Sequence, residues 1–284
     1  MSPILITGSS GLVGGSLVKS LRLKDSVIFT TSRAGSKLDL CNYPADLCDP
    51  KQVVSLLSKK KIGAIVHAAG RIKANDFETY KRDNCDATRN ILTAARDSGV
   101  RKFVYLSTIE VYENDGPYTE ESSTQSLSPY AQTKLEAEDY VRAASTRDFQ
   151  TIIIRLAGVH GPERKSGAIY NFVKAAKKNE PIKILDPKSI FRLSFTGDIT
   201  LGIELILSKD NFAQPVYNMA GEEAFSLSDF ALAIKRITNS KSELIYSGEV
   251  AERNRDLRID KIRHDLGYSP LPTDYHLRSI ASAL

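Results

Sequence analysis

The sequence predicts an α/β fold, a Rossmann-type doubly wound parallel sheet followed by a small α+β C-terminal cap. Three observations predict it. The apolar run Ile4-Leu5-Ile6 meets the turn Thr7-Gly8-Ser9-Ser10-Gly11-Leu12-Val13-Gly14, and apolar pairs at helical spacing (Leu12-Val13, Leu17-Val18, Leu21) follow at once. Short, continuously apolar strands then alternate with helical patterns as far as about residue 157, the signature of a parallel sheet covered on both faces. Beyond that point the alternation loosens into short strands mixed with helices.

Taken in order, Val27-Ile28-Phe29-Thr30-Thr31 reads as the second strand, and Asp49-Pro50 caps and opens a helix whose buried face is Val53-Val54 and Leu56-Leu57. Ala64-Ile65-Val66-His67 is the third strand and leads into Ala68-Ala69-Gly70. A helical pattern runs from about Asp76 to Ser98 and stops at Gly99, and Phe103-Val104-Tyr105-Leu106 is the fourth strand. Ser128-Pro129 opens a helix that continues through Tyr140-Val141, and Thr151-Ile152-Ile153-Ile154 is the fifth strand. Further strands are expected at Ile182–Leu185, Ile190–Phe195, Val216–Met219 and Leu244–Ser247, with helices near Ile169–Lys178, Ile199–Ser208 and Leu227–Thr238. This divides the chain into a dinucleotide-binding part over 1–157, to which a segment at about 190–218 returns, and a mainly substrate-binding cap over 158–284.

Composition narrows the function. The 284 residues carry a formal net charge of +5 with cations scattered; the one run, Lys59-Lys60-Lys61, reads as a solvated helix end rather than a nucleic-acid patch. A mildly positive balance suits an anionic substrate. The three cysteines, Cys41, Cys48 and Cys85, form no metal-ligand spacing, so no metal is expected, and so sparse a set fits a reducing cytoplasm. No leader precedes the first strand and no apolar run spans a bilayer, so a cytoplasmic protein without a membrane partner is expected.

The glycine turn supplies the first chemistry. Gly8 permits a tight turn, Gly11 lets a pyrophosphate approach the backbone, and Gly14 lets helix and strand pack closely, with the helix N-terminus facing the phosphates. At the end of the second strand, where an acidic residue holds an NAD ribose, the chain reads Thr30-Thr31-Ser32-Arg33. Arg33, with Ser32 as a donor, favours a 2′-phosphate and hence NADP, with NAD as the alternative if Asp39 returns to the ribose. The second chemistry is Tyr130-Ala131-Gln132-Thr133-Lys134, whose spacing of four sets phenol and ammonium on one helix face. Lys134 is expected to lower the Tyr130 pKa toward neutrality, so that Tyr130 exchanges the proton of a carbinol as hydride moves to or from nicotinamide. Thr108, closing the fourth strand, is placed to bond the same reacting oxygen.

With these residues in place the chain resembles the extended short-chain dehydrogenase/reductases, the nucleotide-sugar epimerases, dehydratases and reductases, over essentially its whole length. Asp46-Leu47 resembles the pair that meets the adenine, and Ala68-Ala69-Gly70 the motif beside the cofactor. Asn84 with Thr88 resembles the helix N-x-x-x-T, and Ser107 to Tyr112 the S-[ST]-x-x-V-Y segment. Gly161-Pro162 and Leu266-Gly267-Tyr268-Ser269-Pro270 are also typical. The resemblance implies cofactor contacts from Gly8, Ser10, Gly11, Leu12, Val13 and Gly14, and from Lys134 and Val159. It also implies a substrate carried on a nucleotide diphosphate, met by Arg192, Arg253 and Asp256, and a homodimer paired through the helix after the third strand and the helix of Tyr130, with Ile91 or Leu92 and Leu135 on the exposed faces. The family's R-x-x-N-x-Y-G-P reads Arg155 to Pro162 here, with Gly158 for the asparagine and His160 for the tyrosine. The dehydratases carry Asp-Glu where this chain has Ile109-Glu110, which argues against dehydration and leaves Glu110 as a second acid/base or a rim carboxylate. The expectation is NADPH-dependent reduction of a nucleotide-linked keto-sugar; the alternatives are an NAD-dependent 4-epimerase and a non-catalytic dinucleotide sensor.

Overall fold

The computed structural model describes residues 2–24, 26–33, 42–58, 61–125, 128–212, 215–247 and 252–284. Asp39, Cys41 and Lys59-Lys60 lie outside them. The chain divides into two compact units: Met1–Glu113, Ser122–Leu156 and Gly202–Tyr217 form the first; Asn114–Glu121, Ala157–Leu201 and Asn218–Leu284 form the second.

The first unit is built from β1 (Ile4–Thr7), α1 (Leu12–Arg22), β2 (Ile28–Thr31), α2 (Pro50–Ser58), β3 (Ala64–His67), α3 (Phe77–Tyr80), α4 (Ala87–Asp97), β4 (Lys102–Thr108), α5 (Pro129–Ala143) and β5 (Gln150–Leu156). The strands make a six-stranded sheet in the order Val216–Met219, β5, β4, β3, β1, β2, with β2 through β5 all paired in parallel. An isolated parallel bridge, Thr30 to Asn42, marks the outer edge. Strand order reverses between β1 and β3, and in such sheets the crevice for a ligand opens there, beyond the carboxyl ends of the strands. Every residue of β1, β3 and β4 is buried, as the unbroken apolar runs require of a sheet covered on both faces. Leu5, Ile65, Phe103 and Ile153 from four adjacent strands pack with Ile91 and Leu92 of α4 and Val141 of α5 in one core.

The single helix expected over 76–98 is three pieces. Asp76 caps α3 by accepting the Thr79 N–H at 2.7 Å, a π-helical turn runs over Lys81–Asp86, and α4 follows. The wider turn brings Asp83, Asn84 and Cys85 inward consecutively, which a regular α-helix does not do. Ile91 and Leu92, expected on an exposed face, are instead fully within the core, because α4 turns that stripe toward β3 and β4.

In the second unit the expected strand Ile190–Phe195 is two. Ile190–Arg192 pairs with Ala224–Ser226 and Asn254–Arg255, while Ser194–Phe195 pairs in parallel with Val159–His160. Ile182–Leu185 pairs in parallel with Leu244–Ser247. Helices Ala168–Lys178, Leu227–Ile237 and Thr273–Ser282 close a core that includes Phe172, Val173, Phe230, Ile234 and Leu277. Helix Thr273–Ser282 and helix Asp260–Leu266 lie in a stretch the sequence pattern left unassigned.

Candidate active site

The turn after β1 has the geometry the glycines imply. Gly8 adopts φ +67, and a Cβ there would lie 2.7 Å from the backbone of Ala69. A Cβ on Gly14 would overlap the Gly8 carbonyl, so the helix approaches the strand only without one. Helix α1 has Gly11 as its N-cap, no side-chain cap bond and no acidic residue in its first turn, which leaves its N–H groups and positive end for an anion. A cleft of about 200 Å3 opens here. Of the sequence-derived cofactor set, Gly8, Ser10, Gly11, Ser32, Arg33, Asp46, Leu47, Ala68, Ala69 and Gly70 line it; Thr31, Ala45, Cys48, Asp83 and Ala87 line it as well. Leu12, Val13 and Gly14 belong to the first turn of α1, just behind this wall. Val159 lies in the second unit, in register with Ser194.

The hydroxyls of Thr31 and Ser32 are buried without a hydrogen-bond partner at this wall. Buried hydroxyls are costly to leave unsatisfied, so donors at this point fit a polar ligand group. Together with the open helix end and the glycine cradle, they fit the adenosine diphosphate half of a dinucleotide.

A hydrogen-bond chain fixes the floor. Thr88 donates to the Asn84 carbonyl at 2.6 Å, so its oxygen accepts from His67 Nε2 at 3.0 Å. His67 Nδ1 then accepts from Thr7 at 2.8 Å, and Thr7 in turn accepts the Ala69 N–H at 3.2 Å. Both ring nitrogens are used in the neutral state, and burial with nearby Lys134 pushes His67 down to about 3. The histidine thereby ties the glycine turn, the Ala68-Ala69-Gly70 loop and the π-helical turn together. Asn84 completes the link: its Oδ1 accepts the Arg71 N–H at 2.7 Å and its Nδ2 donates to Thr133 at 3.1 Å.

The catalytic candidates come together in the first unit. Ser128 caps α5 by accepting the Ala131 N–H at 3.2 Å, with Pro129 in the first turn, so Tyr130 stands at the start of the helix and Lys134 one turn on. Thr108 lies against the Tyr130 phenol and opposes the rise that burial gives it. Thr108 also accepts the Glu110 N–H at 3.2 Å, fixing the short 3-10 turn Ile109–Val111. Lys134 is buried, donates to the Leu106 carbonyl at 2.6 Å and sits 4.1 Å over the Tyr105 ring. A Cβ on Gly70 would lie 4.0 Å from its Nζ, which places the ammonium beside the cleft wall.

The electrostatics correct one expectation. Tyr130 is not drawn toward neutrality: burial pushes it up to about 12, Thr108 opposes this, and Glu110 and Tyr80 add to it. Lys134 bears the larger functional perturbation, pushed down to about 7 by burial against the counteracting Glu138 and Cys85. Glu110 itself is exposed, and Ile109 is buried.

In the second unit, Arg192 Nε donates to Asp256 Oδ1 at 2.6 Å and its Nη1 bonds the carbonyls of Gly221 and Glu222. Arg253 is exposed and its N–H donates to Ser189 at 3.0 Å. His160 is buried and pushed down to about 3, first by burial and then by Arg164. Among the described residues there is no cluster of three or more metal-ligating side chains, and no helix long and apolar enough to cross a membrane.

A doubly wound parallel sheet with a glycine-turn cleft and a Thr-Tyr-Lys constellation defines a dinucleotide-type fold of the extended short-chain dehydrogenase/reductase class. The sequence model of the NAD dependent epimerase/dehydratase family matches residues 4–220, and the chain belongs to that family of enzymes. It is 28% identical to the uncharacterized UDP-glucose epimerase YtcB of Bacillus subtilis (strain 168), over 94% of this chain and 92% of the relative. It is also 28% identical to the dTDP-D-glucose 4,6-dehydratase of Mus musculus, over 94% of this chain and 84% of the relative. Among solved structures it is similar to UDP-glucose 4-epimerase of Thermotoga maritima (TM-score 0.87, 19% identity, covering 99% of this chain and 98% of that one). UDP-glucuronic acid 4-epimerase of Bacillus cereus, in complex with UDP-glucuronic acid and NAD, is similar at TM-score 0.84 and 22% identity, with the same coverage.

Proposed function

We propose that this chain is a nucleotide-diphosphate-sugar oxidoreductase of the 4-epimerase kind, working on a retained NAD. The observation that carries the reading is the meeting of Thr108, at the end of β4, with the Tyr130 phenol at the start of α5, with Lys134 one helical turn away and the glycine-turn cleft in the same unit. A nicotinamide held in this cleft would supply the hydride acceptor and donor. Tyr130 exchanges the proton of the sugar hydroxyl, Thr108 holds the same oxygen, and Lys134 holds the ribose side of the cofactor and contributes positive charge. Ile109 argues against dehydration, since a buried apolar side chain stands where the dehydratase-like acid is expected. The relatives named as UDP-glucose epimerases support the epimerase reading over the reductase expected from the sequence. For the substrate, exposed Arg253 is the cation assigned to the diphosphate, and the Arg192–Asp256 pair holds Asp256 for the nucleoside.

A second reading, NADPH-dependent reduction of a keto-sugar, is favoured by one observation: the phenol of Tyr130 is held protonated by burial, as a proton donor needs. One experiment separates the two. Mass analysis of nucleotide released from the purified protein, with NMR of UDP-hexoses incubated with it, should give NAD and an equilibrium of C4 epimers. Exchangeable NADPH and stoichiometric consumption of reductant would select the reductase instead. Absence of turnover with every sugar nucleotide would leave the dinucleotide sensor.

The same reading includes a homodimer through α4 and α5. A shallow groove of about 200 Å3 bounded by Arg89, Thr93, Arg96, Tyr140 and Ala144 runs along these helices and supports it. With Ile91 and Leu92 buried, such an interface draws on these polar and aromatic side chains and on half-buried Leu135. Light scattering at micromolar concentration should give twice the chain mass; a monomer mass counts against the assembly.

A further inference from the structure

Along one stripe of α5 three charged side chains follow one another at a spacing of four: Lys134, Glu138 and Arg142. Residues so spaced are neighbours on a helix, about 5–6 Å apart at Cβ, and eight residues advance about 12 Å along the axis. The stripe runs from the buried ammonium beside the cleft to the outer end of the helix, where the Arg142 side chain is 35% exposed. The end of β4 grips its buried part. Lys134 Nζ donates to the Leu106 carbonyl at 2.6 Å, and the hydroxyl of the next residue, Ser107, donates to Glu138 Oε1 at 2.5 Å. From β5, Arg155 Nε and Nη2 donate to the two Glu138 oxygens at 3.1 and 2.7 Å, and Arg142 Nη2 donates to Oε2 at 2.5 Å.

Among the described residues, no carboxylate is bonded to the Lys134 ammonium. Its partners are a neutral carbonyl and the face of the Tyr105 ring, 4.1 Å away. The other titratable groups around it are neutral near pH 7. Burial pushes His67 of β3 down to about 3, Cys85 of the π-helical turn and Tyr130 of α5 up to about 12, and Tyr105 of β4 upward. That leaves Glu138, which opposes the loss of the Lys134 proton that burial promotes. Arg155 and Arg142 act the other way. Two guanidiniums on one carboxylate make the cluster net positive, so its effect on Lys134 is a matter of distance. The anion stands one turn away, and Arg142 stands a turn beyond it as the member most open to solvent.

We propose that this ion network sets the charge state of Lys134, with Glu138 holding the proton on and Arg142, at the solvent end of the stripe, opposing it. Both are positioning residues that act through Lys134. The proposal deepens the reading of Tyr130 and Lys134 as the proton-exchanging pair, and rests on that reading for its consequence in turnover. The pH at which the site loses its ammonium is then adjustable from the outer end of α5, away from the reacting atoms.

The test is NMR of the full chain carrying ¹³C at the lysine Cε, titrated from pH 5 to 9.5 without ligand, with the Lys134 signal assigned by its absence in Lys134→Met. The wild-type midpoint should lie at about 7. Glu138→Gln, which keeps the shape and removes the negative charge, should move it down by about one pH unit. Arg142→Gln, which removes a cation at the helix end, should move it up by about half a unit. Opposite shifts from two members of one network are not what a loss of packing produces. A Glu138→Gln midpoint within about 0.3 unit of wild type, or shifts of the same sign in both variants, would overturn the proposal. If Glu138→Gln does not fold, Arg142→Gln decides, and a midpoint that stays or falls overturns it. With a UDP-hexose as substrate, the alkaline fall of kcat should follow the two midpoints. The titration needs no substrate, so a chain without turnover would refute the proposed activity while the two shifts still decide the network.

Discussion

At the scale of single residues, the chemistry turns on where two protons reside. Burial and Glu110 keep the Tyr130 phenol protonated, and burial brings Lys134 down to about 7, so near neutrality the lysine is the group poised between charge states. Tyr130→Phe keeps the ring and its packing beside Tyr80, 6.2 Å away between centroids, and removes only the proton-exchanging hydroxyl. Turnover with a UDP-hexose should fall by roughly 10²–10⁴-fold with dinucleotide affinity nearly unchanged. Near-normal turnover would mean the proton travels through another group, Glu110 being the first to test. Lys134→Ala should harm both turnover and dinucleotide affinity, because its ammonium lies beside Gly70 of the cleft wall and its place on α5 is one helical turn from Tyr130. The Tyr-x-x-x-Lys pair was legible in the sequence because helical spacing fixes its face. The direction of the tyrosine shift was not, because it depends on how much protein surrounds the phenol. Asp83 was illegible for a related reason: its approach to Arg33 spans 50 positions and depends on a turn that helical periodicity does not announce.

At the scale of elements, α5 must be held in one register against β4 for Tyr130 to meet Thr108. A buried ion network does this. Glu138, one turn beyond Lys134 and fully buried, accepts from Ser107 on β4 at 2.5 Å, and from Arg155 on β5 at 3.1 and 2.7 Å. Arg142 adds a further bond at 2.5 Å, and Arg155 lies 4.7 Å over the Tyr112 ring. Removing one partner of a buried pair leaves an uncompensated charge, so Glu138→Ala should cost about 3–5 kcal/mol of stability, read as a lower urea midpoint. A loss below about 1 kcal/mol would show that the pair is as weak as a surface bridge. The sequence announced α5, β4 and β5 by their apolar periodicity and the cap at Ser128. It said nothing of Glu138, whose partners Ser107 and Arg155 lie 31 and 17 positions away in the chain. The split of Ile190–Phe195 was hidden for a different reason: each half pairs with a different partner, and pairing is non-local.

At the scale of the whole molecule, buried ionisable groups in both units shape how stability follows pH. His67 in the first unit and His160 in the second are each pushed down to about 3 from the ordinary 6.5 of histidine. Between those limits the unfolded chain binds protons that the folded chain does not, so stability rises with pH across that window and is lost as pH falls. Each imidazole contributes a slope of at most about 1.4 kcal/mol per pH unit. Lys134 acts with the same sign at higher pH: it is at about 7 folded and 10.5 unfolded, so relief of its buried charge adds stability as pH rises through that range. Cys48 and Cys85 act oppositely. Burial raises both thiols from 9.0 to about 12, so above about pH 9 the folded chain holds protons that the unfolded chain releases, and stability falls. The signs predict a maximum between about pH 7 and 9, with a steep acid side. Urea midpoints at pH 5, 8 and 11 should rank 8 highest, and His67→Gln should shrink the difference between pH 5 and pH 8. Equal midpoints at pH 5 and 8 in the wild type would show that the two histidines are not held neutral in the folded chain, and the bonding chain from Ala69 through Thr7, His67 and Thr88 to Asn84 would then need a different protonation state.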